Sequence, residues 1–332
     1  MAGSRALRKL QFGKETTAGT AVAPTTIFRG WGVIKDNREV IFPEEDVGIL
    51  GGTDRSYIAR QWSELALPSV EATFEQLPYV FEAGVKSVAA GVVDTGGSGY
   101  VYSYAASTTA QNTTKTYTFE GGDDQQAEIF DYGFVKHFNL SGSGQGALMM
   151  SSDWTGQASS NTSFTAALSI PAVDEIIVNN ASLYIDDSGG TIGSTAVSNT
   201  LFSIDLDWTT GLQEFWAVDG SLDFSLTKFT RDDIVLAMTY EHNTTSVLEK
   251  AKYRAGSTRL VRLLFNGPQL TTTGTFTYKT LRVDLAGVYE DWSVLEDQDG
   301  NDVVTATLRV RYSSADALKA NIVVVNELSA LT

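Results

Sequence analysis

The stretch Phe202–Trp208 reads FSIDLDW and alternates without interruption between apolar and polar side chains. The same pattern returns over Val304–Tyr312, Leu281–Leu285 and Leu222–Leu226. When side chains alternate with a period of two residues, one row of them faces a core and the other faces water, as in antiparallel sandwiches and barrels. Turn sequences such as Asp299-Gly300-Asn301 separate these runs. The sequence therefore predicts a mainly β protein.

Two halves of the chain carry a similar succession of motifs, which predicts an internal duplication. In the first half these are Glu75, Tyr79, Ala83-Gly84, Phe119-x-Gly121, Tyr132 and Leu140-Ser141-Gly142. In the second half they are Glu249, Tyr253, Ala255-Gly256, Phe265-x-Gly267, Tyr278 and Leu285-Ala286-Gly287. The spacing from phenylalanine to tyrosine is thirteen residues in both halves. We expect two tandem domains, residues 1–170 and 171–332.

One helix is expected beside the sheet in each half. The first covers Val70–Ala83 and ends at Gly84, with Pro78 as a possible kink or late start. The second opens with Ser246–Glu249, a capping-box sequence, and ends near Gly256, where glycine tolerates the left-handed conformation.

Segments that break the symmetry are candidates for function. A long loop spans residues 36–56, whereas the second half has only Thr230–Asp233 at the matching hairpin. A polar, glycine-rich insertion at about 88–115 has no counterpart. Residues 171–199 contain a strand-like segment and a turn, which predicts a structured bridge. Long ordered loops in compact domains are usually functional.

Composition excludes several classes of protein. The chain has 332 residues and no cysteine, which rules out disulfides, thiolate catalysis and cysteine-ligated zinc. No apolar run is long enough to span a bilayer. A formal net charge of −16 disfavours non-specific binding of nucleic acid, which needs clustered Lys and Arg. It suits solubility, and equally a surface that nucleic acid must pass without sticking.

Motifs for catalysis or metal binding are weak. His137 and His242 are the only histidines, and neither has a nucleophile elbow beside it. Gly142-x-Gly144-x-Gly146 lacks the spacing and the following helix of a phosphate-binding loop. Asp297–Asp302 lacks the distal glutamate of a calcium loop, which favours a hairpin turn. We therefore predict no enzyme, no cofactor and no metal site.

Six motifs spread over nearly the whole chain resemble the major tail tube proteins of long-tailed, non-contractile bacteriophages. They are Gly13–Thr20, Glu71–Pro78, Leu140–Gly144 with Ala147–Ser151, Thr210–Leu212 followed by Asp219–Leu222, Arg259–Leu263, and Val324–Leu328. The insertion at 88–115 is the least family-like stretch. The resemblance implies tail-tube-type antiparallel β-sandwich or half-barrel domains, each flanked by one α-helix.

The resemblance also implies a function. Subunits of that family join edge to edge into rings, and stacked rings form a hollow tube for DNA. A duplicated chain would build such a ring from three copies. The partners implied are further copies, the tail tip and tail terminator proteins and the tape measure protein, with DNA passing unbound and no membrane contact. The place implied is the virion tail, after synthesis in the bacterial host cytoplasm.

Two other classes remain open. A secreted or surface carbohydrate-binding protein would use exposed tryptophans, and the candidates are Trp31, Trp154, Trp208 and Trp216. Core packing is the more ordinary use of these residues. A polysaccharide-cleaving enzyme would need paired carboxylates, but no pair stands out.

Three sets of residues are predicted to serve assembly. The outward-facing acids predicted to line the tube are Asp205, Asp207, Asp223 and Asp284. The apolar residues predicted to stack one ring on the next are Ile41, Phe42, Val47, Ile49 and Leu50. The residues of the chain ends (Ala2–Gly13 and Val323–Thr332) predicted to dock on a neighbour are Leu10, Phe12, Val325 and Leu328.

Overall fold

The computed structural model describes residues 3–52 and 54–331, so Ala2, Thr53 and Thr332 of the predicted segments lie outside the described residues. Strands hold 49% of the residues and helices 8%, which confirms the mainly β prediction. The elements of the first half are β1 (Lys9–Lys14), β2 (Thr26–Ile27), β3 (Val33–Ile41), β4 (Tyr57–Glu71), α1 (Leu77–Gly84), β5 (Val92–Val93), β6 (Tyr100–Ser103), β7 (Tyr117–Gly122), β8 (Ala127–Ser143), β9 (Met149–Gly156) and β10 (Ser160–Thr162).

The elements of the second half are β11 (Ala181–Asp187), β12 (Ala196–Val197), β13 (Leu201–Thr209), β14 (Leu212–Phe215), β15 (Leu226–Phe229), β16 (Asp233–Glu241), α2 (Thr244–Ala255), β17 (Thr258–Gln269), β18 (Tyr278–Trp292), β19 (Glu296–Gln298), β20 (Asn301–Val310) and β21 (Ala320–Asn326). Short 3-10 helices cover Arg5–Leu7 and Val178–Asn180.

The two halves share one strand order. In the first half neighbouring strands pair in the order β3-β4-β9-β8-β7-β1-β2, all antiparallel. In the second half the order is β13-β16-β20-β18-β17-β11-β12, again antiparallel. α1 lies between β4 and β7 along the chain, and α2 lies between the corresponding strands β16 and β17. The two halves thus have the same succession of elements and the same strand order.

The residue-by-residue correspondence between the halves that the sequence motifs suggested is nevertheless wrong inside the strands. Phe119 pairs with Phe130, whereas Phe265 pairs with Leu281, so Tyr132 and Tyr278 take different places in their sheets. The equal spacing of thirteen is a coincidence. A β-bulge gives the true correspondence.

That bulge occurs once in each half. The register of β8 against β9 shifts between Val135 and His137, and that of β18 against β20 shifts between Tyr289 and Asp291. Because a bulge places an extra residue at one point of a ladder, it fixes which residues of β8 and β18 correspond.

The halves are joined through their sheets. β13 pairs with β8 on one side and with β16 on the other, and β6 pairs with β21. Buried apolar side chains form a cluster that runs through both halves. Phe138 stacks on Trp208 across the junction with ring centroids 5.3 Å apart. The division into tandem domains at residue 170 stays a prediction.

Both helices begin elsewhere than the sequence suggested. α1 begins at Leu77, because Val70 and Glu71 extend β4 and Pro78 suits a first helical turn, where its missing N–H costs nothing. α2 is capped by Asn243, whose side chain accepts bonds from the N–H groups of Thr245 and Ser246. Ser246 returns the bond and is therefore the third helical residue of the box rather than its cap. The end at Gly256, with φ 62°, is confirmed.

A buried glutamate fastens each helix to the sheet. Glu82 of α1 accepts hydrogen bonds from Tyr117 Oη at 2.7 Å and Lys14 Nζ at 2.8 Å. Glu249 of α2 binds the Arg259 guanidinium at 2.7 and 2.9 Å and accepts from Tyr289 Oη at 3.1 Å. A charge taken out of water requires such partners.

The predictions for the segments that differ between the halves are corrected in part. Residues 36–41 belong to β3, so the predicted loop is a long β-hairpin with a turn region at 42–56. The second half carries the β14–β15 hairpin at the same point rather than a tight turn. The insertion at 88–115 holds β5 and β6. The strand predicted in the bridge is confirmed as β11, and the turn at Asp299-Gly300 lies between β19 and β20.

Candidate functional site

Among the open sheet edges of the described residues, two belong to the counterparts of the strands that join the halves, β3 and the end of β18. β13 of the second half is flanked by β16 and β8. Its counterpart β3 has β4 as its one strand partner within the described ranges. In the same way the end of β8 is flanked by β9 and β13, whereas the end of β18, Asp291–Trp292, pairs only with β20 among the strands the structure describes. Open edges present unpaired backbone groups and are ready to pair with another chain.

A polar face covers the junction of β9, β8 and β13. His137 of β8 lies between two carboxylates, with Nε2 2.7 Å from Asp207 Oδ1 and Nδ1 3.4 Å from Asp153 Oδ2. Asn139 donates a hydrogen bond to Asp205. Asp205 and Asp207 therefore lie side by side on the outward face of β13, as their alternation predicted.

The other two acids predicted for this surface lie elsewhere. Asp223 follows an irregular segment, where its carboxylate accepts bonds from the N–H of Ala158 at 2.9 Å and from Gln61 Nε2 at 3.0 Å. Leu222–Leu226 is consequently no strand with an inward row: Phe224 is buried, but Leu222 and Leu226 are exposed.

Asp284 is buried in an ion pair with Arg262, at 2.6 and 2.9 Å, on the outer side of β17 and β18. The hydrogen bond that Arg262 donates to the Asp284 carboxylate raises the pKa of Arg262 above its usual value. The four acids thus do not form one surface, because neighbouring cations and loops decide where a carboxylate points.

The hairpin arm, residues 37–62, extends beyond the last ladder pair of β4 with β9. Its base contacts the β14–β15 hairpin, where Trp62 meets Trp216 edge to face at 6.2 Å. Its turn region, residues 42–56, is closed by an ion pair between Glu45 and Arg55. Within it Phe42, Val47, Ile49 and Leu50 are exposed, Leu50 completely, while Ile41 is half-buried. Exposed apolar side chains in one contiguous segment mark an interaction surface.

The chain ends are packed within the chain, which corrects the docking prediction. Leu10 and Phe12 of β1 are buried, and Phe12 packs against Tyr79 and Tyr117. Val325 is fully buried in β21 between β18 and β6.

Asn326, the last residue of β21, is fully buried and donates to the carbonyl of Phe74 at 2.8 Å. The carbonyl of Leu328 accepts from Tyr102 Oη at 2.6 Å. These two contacts fasten the end of the chain to the sheet.

The tryptophans considered as sugar platforms divide in two. Trp154 and Trp208 are buried in the core. Trp31 is exposed and Trp216 is half-buried against the arm, with the Arg60 guanidinium 4.9 Å from its ring. The two accessible rings therefore belong to separate parts of the surface.

A cleft of about 490 Å³ lies between the halves, beside the end of α1. Its walls include Trp208, Thr210, Tyr312 and the loop 106–112, and Lys319 is paired with Asp232 at its rim. Among residues 3–52 and 54–331, no three His, Asp or Glu side chains are grouped to hold a metal ion. Neither described helix has the length and apolar character to cross a bilayer.

A comparison with models of known protein families and a search of curated proteins both found no match to this sequence. The sheet edges and the arm are the features that sequence reasoning missed or placed incorrectly. Alternation shows which side chains face a core, but strand neighbours depend on contacts between distant residues.

Proposed function

We propose that this chain is a virion structural protein that forms the tail tube of a long-tailed bacteriophage. Three copies would close into a ring with six similar units, and stacked rings would conduct DNA from capsid to host. The tail tip, tail terminator and tape measure proteins would be its further partners. It would be made in the bacterial cytoplasm and act in the virion tail, without catalysis.

The open edges carry this proposal. The same strand order occurs twice and is joined by β8–β13 pairing, and within the described residues β3 and the end of β18, the counterparts of those two strands, each keep one edge without a strand partner. A further copy can meet each open edge, and closure of a ring removes both edges from solvent. The exposed apolar turn of the hairpin arm offers a second contact, suited to a neighbouring ring.

Electron microscopy of the purified full-length chain in negative stain tests the proposal. Rings or hollow tubes with a three-fold or pseudo-six-fold projection are expected. Compact single copies at every concentration and ionic strength would argue against a tube protein, and binding to an oligosaccharide array by such copies would favour the carbohydrate-binding alternative.

The acids on β13 give a prediction for DNA passage. Replacing Asp205 and Asp207 with lysine is expected to leave tubes that look normal but release DNA slowly. DNA carries one charge per ~1.7 Å of axis, so a cationic wall would hold it at many points. An acidic wall repels it weakly, over about 8 Å at physiological salt. Dye fluorescence of DNA released from phage particles measures the effect.

The matched control replaces both aspartates with asparagine, which keeps the shape and removes the charge. We expect its release rate to lie between those of the parent and the lysine variant. Equal rates for all three would place these carboxylates away from the DNA path.

A further inference from the structure

We infer that β3 of one copy pairs with the end of β18 of the next copy, in the register set by the β8–β13 junction inside the chain. The inference rests on the proposed function, because it requires copies to associate side by side. Its occupant is a second copy of this chain, since the internal junction shows how these two kinds of edge fit.

The repeat defines which residues would meet. The shared bulge matches Val135, His137 and Phe138 of β8 with Tyr289, Asp291 and Trp292 of β18. In the first half Val135 pairs with Trp154, which pairs with Leu65 on the next strand. In the second half Tyr289 pairs with Leu308, which pairs with Leu236.

Leu65 pairs with Ile34, and Leu236 pairs with Leu206. Ile34 therefore takes the place of Leu206, so that Lys35 takes the place of Asp207 and Asp36 that of Trp208. On the other edge, Ser293 takes the place of Asn139.

One pair of polar side chains across the internal junction has a counterpart at the open edges, with the acid on the opposite strand. Inside the chain, His137 of β8 contacts Asp207 of β13 across the junction at 2.7 Å. The corresponding residues at the open edges are Asp291 and Lys35, an acid on the β18 side and a base on the β3 side. Lys35 contacts Glu64 at 3.3 Å within the same chain, in a pair whose side chains are 68% and 46% exposed. Such a surface pair is weak and leaves Lys35 able to reorient.

A buried donor at the edge has no acceptor. Trp292 is 8% exposed and packs against Tyr289 and Tyr240, yet its Nε1–H has no hydrogen-bond partner among the described residues. A buried indole N–H normally finds a partner. At the internal junction the matching residue, Phe138, lies directly opposite Trp208. The residue that would lie opposite Trp292 is Asp36 of the next copy, a carboxylate acceptor.

The side chains next to these positions are apolar and exposed. Val33 of β3 is 56% exposed, and Val294 and Leu295 after β18 are 78% and 54% exposed. Pairing of the two edges would cover them, at about 25 cal/mol for each Å² of apolar surface removed from water. Backbone pairing, the Asp291–Lys35 pair, the orphan indole and the apolar rim therefore point to one contact.

Disulfide trapping tests the register. Because the sequence has no native cysteine, only the introduced thiols can form a disulfide. The double variant Lys35→Cys, Ser293→Cys places the two thiols on directly opposite residues, whose Cα atoms in an antiparallel pair are about 4.5–5.5 Å apart. A disulfide needs a separation of roughly 4.4–6.8 Å. Oxidation of assembled full-length chain is expected to give covalent trimers that dithiothreitol returns to single chains.

Two controls accompany it. Asp207→Cys, Asn139→Cys is the corresponding pair inside the chain and should give an internal disulfide at monomer size. Lys35→Cys, Val294→Cys shifts one residue to the other face of the strand and should remain uncrosslinked. If particles assemble but only the shifted pair, or neither pair, is trapped, the inferred register is wrong while the proposed function stands. Chains that remain single copies throughout contradict both.

A charge exchange provides an independent readout. Lys35→Asp is expected to raise the concentration needed for assembly at least about tenfold, because two acids would face each other. Adding Asp291→Lys to the same chain should restore assembly. Asp36→Ala should remove the shift in tryptophan fluorescence that accompanies assembly of the parent, and Asp36→Asn, which keeps an acceptor, should retain it. Failure of Asp291→Lys to rescue would contradict the contact.

Discussion

Replacing Glu249 with alanine is expected to lower the free energy of unfolding by about 3–5 kcal/mol, the cost of leaving a buried charge without its partner. The Glu249 carboxylate receives two hydrogen bonds from Arg259 and one from Tyr289. The Arg259 side chain is 5% exposed and would keep only its contact with Asp187. Burial, together with the nearby Tyr240 and Glu249, raises the pKa of the Tyr289 hydroxyl well above its usual value, so it stays protonated and loses the hydrogen bond that it donates to Glu249. Urea unfolding followed by circular dichroism measures the change.

The matched control is Glu290→Ala. Glu290 also binds an arginine, Arg309, but at the surface, where Asp233 remains as a second partner. An exposed pair contributes about 0–1 kcal/mol. Equal losses for both variants would show that burial of the Glu249 pair is not what stabilises α2 on the sheet.

Deleting residues 46–53 from the turn of the hairpin arm is expected to leave folded chains and rings but to abolish tubes. Thr53 lies outside the described residues, and the deletion keeps Glu45 and Arg55, the ion pair at the base of the turn. It removes Val47, Ile49 and Leu50, which are 56%, 65% and 109% exposed and contribute little to the core. Each such side chain, if buried in a neighbouring ring, would contribute about 1.5–3 kcal/mol before ordering costs. Electron microscopy and sedimentation measure tube formation.

A substitution separates apolar burial from loop length. Changing Val47, Ile49 and Leu50 to serine should reproduce the loss of tubes, whereas Val218→Ser, at a residue as exposed as Leu50 on the β14–β15 turn, should not. Normal tubes from the deletion variant would exclude the arm as the stacking element. Rings lost together with tubes would assign it to lateral contacts instead.

Local patterns were informative where one residue or one period determines the structure. The alternation of Phe202–Trp208 became the half-buried strand β13, because a strand with one face in a core must alternate. Gly256 ended α2 because the left-handed conformation costs glycine little. Asp299-Gly300 forms the hairpin turn because such a turn needs two residues at positive φ, which this dipeptide favours.

The sequence by itself determined the mainly β class, the end of α2 at Gly256 and the acidic, cysteine-free composition. Only the tertiary structure decided the strand partners: within the described residues β8 pairs with β13, while β3 and the end of β18 each keep a free edge. It also decided that Asp284 is buried beside Arg262 whereas Asp205 is exposed. The physical reason is distance along the chain. Alternation and turn propensity act over a few residues, but ladder register, ion-pair partners and sheet edges depend on residues brought together from far apart, which no local pattern records.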